Sequence, residues 1–138
     1  MSDMNDFNAT IIAEFRENDG QVGGDFADAT MVLLTTTGAK SGATRINPLV
    51  CRIDDDGQVY VFASKAGAPT HPDWYHNLTK NPTVGVELGA ERFEATAEEL
   101  SGDERDAVYA AHAKQYPGFA EYQANTDRVI PVIALRRS

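Results

Sequence analysis

The sequence is short of cysteine and of positive charge, and it has no long apolar run. One cysteine, Cys51, excludes an internal disulfide. It lies in an apolar, strand-like run, reads as a small buried hydrophobe, and fits a reducing cytoplasm. Twelve Lys and Arg stand against 21 Asp and Glu, a net charge of -9. A general binder of nucleic acid or of anionic membranes needs a basic face, so both are excluded. No run approaches the ~20 apolar residues of a membrane span. The acidic N-terminus lacks the apolar stretch of a secretory signal. Histidines number three. His71 and His76 are five apart, which does not stack them on one helical face, and no carboxylate or cysteine pattern completes a metal site. No G-x-S-x-G surrounds Ser41 or Ser64, so a nucleophilic triad has no support.

What is present is ordinary for a globular protein: 138 residues, 42% hydrophobic and 24% charged. The length predicts one domain over 1–138, with an N-terminal helix and loop over 1–24 and a core over 30–135. The charge is uneven. Residues 1–37 carry seven acids and one base, and residues 81–121 nine acids and three bases. Between them, residues 38–80 carry five bases against four acids: Lys40, Arg45, Arg52, Lys65 and Lys80. Such an island suits an anionic ligand, but charge alone favours the plainer reading, chance clustering on a solvated surface.

Phe7, Ile11, Ile12 and Phe15 fall on one helical face, and Gly20, Gly23 and Gly24 end that helix. The helix has the domain, a partner or a membrane surface as candidate neighbours; its acidic polar face disfavours the membrane. Residues 30–37, 43–53, 58–63, 83–88, 92–97 and 128–135 read as strands. Pro48 and Pro131 imply an edge or bulge. Asp54 to Gly57 is a hairpin signal. Short helices are predicted over 72–79, 101–115, with Ser101 and Glu104 as a capping box, and 119–124. The fold class is therefore mainly β (α+β), a small barrel of about six antiparallel strands with peripheral helices.

Gly38-Ala-Lys-Ser41 is not a P-loop, because Ala39 precedes Lys40 and a strand follows. A glycine turn bearing Lys40 and Ser41 still offers amides and an ammonium to an anion. Tyr116, Phe119 and Tyr122 are spaced at threes, either as core packing or as a pocket wall.

Read together, Leu34 to Gly42, Arg45-Ile-Asn-Pro-Leu49, Ser64 to Pro69, Pro72 to Asn77, and Tyr116 to Tyr122 followed by Asp127-Arg128 and Ile130-Pro131 resemble the deazaflavin-dependent nitroreductase family of actinobacteria. The resemblance implies a split β-barrel related to flavin-binding barrels. It implies coenzyme F420 as cofactor and hydride transfer to a quinone or nitro acceptor. It assigns Lys40, Ser41, Arg45 and Lys65 to the coenzyme's phosphate and tail carboxylates. Asn47, Pro48, Ser64, Ala66, Gly67, Ala68, Trp74 and Asn77 would lie along the deazaflavin and its ribityl chain. Ser64, Tyr116 and Tyr122 would orient or protonate the acceptor as the catalytic groups, with Tyr116, Phe119 and Tyr122 as its wall. This sequence departs from the family pattern at Ala39, Val50, Asp73 and Phe119. Phe119 stands where the best-known type has a tyrosine, which implies quinone reduction with weak turnover of bulky nitroimidazoles. A non-catalytic F420 carrier and an FMN-using split-barrel reductase are the alternatives. The expected location is cytoplasmic, with peripheral membrane contact through the first helix and the oligomeric state left open.

Overall fold

The computed structural model describes residues 3–18, 30–54, 57–64 and 70–137, with side chains of the first helix from residue 9 onward. Six strands form the sheet: β1 (Met31–Thr37), β2 (Thr44–Ile53), β3 (Val59–Phe62), β4 (Thr83–Leu88), β5 (Glu91–Glu99) and β6 (Val132–Arg137). They close into a barrel in the order β1-β2-β3-β6-β5-β4, every neighbouring pair antiparallel. Among the described residues four helices surround it: α1 (Asp3–Glu17), α2 (Asp73–Lys80), α3 (Gly102–Gln115) and α4 (Gly118–Ala124). The barrel expected from the sequence is the one observed.

Successive residues of a strand face opposite sides, and here both sides of β1 and β6 are covered. From β1, Val32 and Leu34 point into the barrel core with Val61, Val86 and Ile133, while Met31 and Leu33 pack outward on Ile11 and Phe15 of α1. From β6, Ile133 and Leu135 point inward, while Val132 and Ala134 meet Phe62, Leu100 and Tyr109 beneath α3. That two-sided burial is why these strands read as unbroken apolar runs rather than alternating ones. Each fully buried Val, Leu or Phe contributes roughly 1.5–3 kcal/mol. Cys51 is 1% exposed, and burial pushes its thiol up to about 12, so it behaves as the small hydrophobe expected.

β2 is continuous through Pro48, which stands opposite Leu33. The Cys51 amide donates to Thr30 on the β1 side. Amide direction alternates along a strand, so the position of Pro48, three residues earlier, faces away from β1. There the β2–β3 ladder has already stopped, since it joins only Cys51–Ile53 to Val59–Val61. The missing N–H therefore costs nothing, and the expected edge is real.

Two boundaries differ from expectation. The last strand starts at Val132 rather than at residue 128, because the carbonyl oxygens of Arg128 and Ile130 are taken by side chains of Gln123 and Arg105 instead of by a ladder. Ser101 is the N-cap of α3, but its side chain makes no capping bond. The chain enters the helix through Gly102 in a left-handed conformation, φ 59°.

Candidate functional site

The β1–β2 turn, the first half of β2 and one face of α2 enclose a cleft of about 1100 Å³. That is slightly larger than the roughly 300–1,000 Å³ of pockets for drug-sized ligands. Lys40, Ser41, Arg45, Asn47, Trp74 and Asn77 all line it, joined by Asp73, His76 and, from α1, Ala9 and Ile12. Residues from three separate sequence segments thus meet in one place.

The turn is shaped from both sides. Gly42 adopts φ 72°, a left-handed conformation that glycine takes without strain. A Cβ on Gly38 would lie 2.8 Å from the Ser41 hydroxyl and 3.2 Å from the Ala43 carbonyl, so a larger residue there displaces the Ser41 side chain. Beneath the turn, α2 acts as a brace. Asn77 is buried, accepts the Ala39 amide at 2.9 Å and donates to Thr36 Oγ1 at 3.1 Å. Lys80 Nζ donates to the Ala39 carbonyl at 2.6 Å. Ser41 Oγ accepts the Ala43 amide at 3.1 Å, which leaves its own O–H for another acceptor.

The five-cation island of the sequence is split by the fold. Lys40 and Arg45 are exposed, line the cleft, and have no carboxylate partner among the described residues. Lys80 is committed to the brace. Arg52 is paired with Asp54 at 3.0 Å and reaches Gln115 of α3 at 3.4 Å. Seven residues of strand, about 23 Å, separate it from Arg45. Lys65, Ala66, Gly67 and Ala68 lie outside the described residues.

Pro48 and Ser64 do not line the cleft. Pro48 occupies the stretch of β2 that pairs with β1 but not with β3, and Ser64 follows β3. Ser64 is 9% exposed, and its carbonyl accepts Arg128 Nη2 at 2.7 Å. Nη1 of the same guanidinium contacts the Ala63 carbonyl and His71 Nδ1, both at 2.9 Å. A guanidinium only donates, so His71 Nδ1 is the acceptor and Nε2 carries the proton. Burial, then the charges of Arg128 and His76, lower the His71 pKa and keep the ring neutral. Neither Arg128 nor His71 was singled out from the sequence. Arg128 sat unassigned in the Asp127-Arg128 motif, and its partners are more than 50 residues away.

The aromatic trio packs elsewhere, with Phe119 and Tyr122 against the cluster beneath α3. Tyr116 caps the end of α3, and Phe119 and Tyr122 sit on α4, edge to face at 5.2 Å. Phe119 also meets Phe62 at 5.7 Å, only two residues before Ser64. The Tyr116 hydroxyl accepts the Thr30 amide at 3.4 Å. None of the three lines the cationic cleft.

The chemistry of the cleft suits an elongated anionic ligand. The family model of the F420H(2)-dependent quinone reductases matches residues 9–137. The chain belongs to that family. It is accordingly an oxidoreductase whose cofactor is coenzyme F420, as expected. An F420H(2)-dependent quinone reductase of Mycobacterium tuberculosis is 37% identical over 132 residues, covering 91% of this chain and 86% of its own. Among solved structures, an F420-H2 dependent reductase (FDR-A) is 46% identical with a TM-score of 0.70, covering 78% of this chain and 94% of that one. A second, described as a domain-swapped dimer, is 41% identical with a TM-score of 0.72, covering 97% and 98%. The heme storage protein HutZ of Vibrio cholerae shares the barrel at 18% identity and a TM-score of 0.59, a likeness of fold alone.

Proposed function

We propose that this chain reduces quinones with F420H2 bound along the cleft, its anionic end on the β1–β2 turn. The observation that carries the reading is the pair Lys40 and Arg45. In a protein of net charge -9, they face a common cleft without a carboxylate partner among the described residues. The coenzyme's phosphodiester and γ-glutamyl carboxylates supply the missing anions. Arg45 offers a bidentate fork, Lys40 a point charge and Ser41 a hydroxyl donor. Asn47 and Trp74, which line the cleft, give the deazaflavin a wall, and Pro48 follows Asn47 on β2. Asn77 holds the turn rather than the ring.

In its reduced form the coenzyme supplies a hydride from C5. The chain's part is placement and hydrogen bonding. Ser64 and the hydroxyls of Tyr116 or Tyr122 orient the acceptor and donate to the negative charge that develops on its oxygen. Phe119 gives that wall an apolar face where a third hydroxyl would help to seat a nitro group, so nitro compounds are poorer acceptors than quinones.

The test is a titration of oxidised F420 into wild type, Lys40→Ala and Arg45→Ala. Each substitution weakens binding about tenfold, in line with 1.5–3 kcal/mol for a charged hydrogen bond reduced by solvent exposure. The loss shrinks as salt rises. Catalytic amounts of wild type then oxidise F420H2 with menadione and turn over a bicyclic nitroimidazole slowly. Binding that ignores both substitutions overturns the anion site, and rapid nitroimidazole turnover overturns the acceptor preference.

A further inference from the structure

The aromatic trio does not line the cationic cleft, and one hydrogen-bond network runs from α3 and α4 to the segment just before α2. It starts on α3 with Arg105, 9% exposed, whose guanidinium lies 4.5 Å from the Tyr109 ring centre. Arg105 donates to Gln123 Oε1 on α4 at 2.6 Å and to the Ile130 carbonyl at 2.8 and 3.1 Å. Gln123 accepts the Ile130 amide at 3.0 Å and donates to the Arg128 carbonyl at 2.7 Å. The backbone of residues 128–130 is thus held by α3 and α4. From this fixed base the Arg128 guanidinium crosses to Ala63, Ser64 and His71. His71 stands immediately before α2, the helix that braces the anion-binding turn, and its ring lies 4.5 Å from Tyr75 and 5.9 Å from the cleft residue His76.

The choice of arginine is informative. A single planar group satisfies two carbonyls and an imidazole nitrogen in three directions, and a lysine ammonium cannot reproduce that fork. The bonds fix where the chain leaves β3, and with it the Ser64 backbone from which the side chain projects. They also fix the His71 tautomer. The base of the arginine is tied to the helix that carries Phe119 and Tyr122. A change of one ångström between reacting groups costs about a hundredfold in rate, so a tie of this kind acts on the reaction and not on stability alone.

We propose that Arg128 is a positioning residue for the acceptor: it holds Ser64 and His71 at a fixed setting against the α4 wall, and so places the acceptor relative to the deazaflavin. The inference rests on the proposed acceptor role of Ser64 and the aromatic wall.

The experiment compares Arg128→Ala and Arg128→Lys with wild type in three measurements: F420 dissociation constant, kcat and KM for menadione, and rescue by millimolar guanidinium. F420 binding reports that each variant is folded. The expected result is an F420 affinity within about threefold of wild type and a kcat/KM for menadione lower by tenfold to a hundredfold, on the order that misplacement produces. Free guanidinium restores Arg128→Ala several-fold, and Arg128→Lys stays impaired. A wild-type kcat/KM in both variants overturns the proposal. So does a loss shared equally by F420 affinity, or a loss that guanidinium deepens, since a structural staple gives that pattern. Ser64→Ala and Tyr122→Phe run in the same assay separate the two readings. If they are silent while Arg128→Ala is impaired and rescued, the acceptor wall is wrongly placed and Arg128 positions a different group. If they are impaired while Arg128 is silent, the wall stands and the positioning role falls.

Discussion

Among single residues, His112 is the most at odds with its surroundings. It is fully buried on α3, stacked on Phe62 at 3.9 Å, with Phe119 at 4.3 Å, and neither ring nitrogen has a hydrogen-bond partner among the described residues. Burial, and secondarily the charge of Arg52, lowers its pKa from 6.5 to about 4. The sign follows from linkage. The unfolded chain takes up a proton near pH 6.5 and the folded chain only near 4, so the stabilisation is complete above 6.5 and is lost as pH falls through that window. The full effect is on the order of 3 kcal/mol. His112→Phe keeps the ring stack and removes the titration. Urea midpoints measured between pH 7 and 4 should therefore fall less steeply for the variant, and parallel slopes would show that His112 does not titrate as described. The histidine was legible in the sequence only as a non-ligand, because nothing in its own neighbourhood announces that Phe62, 50 residues earlier, would cover it.

At the level of elements, α2 decides whether the anion-binding turn is formed, and Asn77 is the link. Asn77→Ala leaves Thr36 Oγ1 and the Ala39 amide without their partner, at about 1–3 kcal/mol of stability. Asn77→Asp differs in kind. A carboxylate accepts the Ala39 amide and, after rotation of the hydroxyl, a bond from Thr36, so the brace survives. It also sets a negative charge under Lys40 and Ser41. The alanine variant should lose stability in urea, whereas the aspartate variant should keep most of it and lose F420 affinity more. Equal affinities in the two variants would remove Asn77 from the electrostatics of the site.

The elements themselves were largely legible. β-Branched runs bounded by Gly, Asp or Asn mark the strands, and the place of Pro48 at an open edge follows from its missing N–H. The start of β6 was not, because Val129 and Ile130 look like strand residues while their backbone bonds go to Gln123 and Arg105, on helices read separately. The cation island was half legible: Lys40 and Arg45 flank one turn, but proximity in sequence placed Arg52 with them, and the length of β2 carries it to the other end of the barrel.

For the whole molecule, net charge and site charge have opposite signs, and kinetics can separate them. The molecule carries -9, a field that repels an anionic coenzyme at long range and weakens beyond about 10 Å in 0.1 M salt. Lys40 and Arg45 act at contact distance, where screening is weaker. In wild type the two effects oppose each other during approach, so the association rate constant for F420 should change little with ionic strength. Lys40→Ala combined with Arg45→Ala removes the local attraction and takes the net charge from -9 to -11. Only repulsion then remains to be screened, and the association rate of the double variant should rise as salt is added. Stopped-flow mixing with F420 at several ionic strengths reads this directly. A rate that falls with salt in the double variant would mean that other cations dominate the approach, and that the cleft described by Lys40 and Arg45 is not the port through which the coenzyme enters.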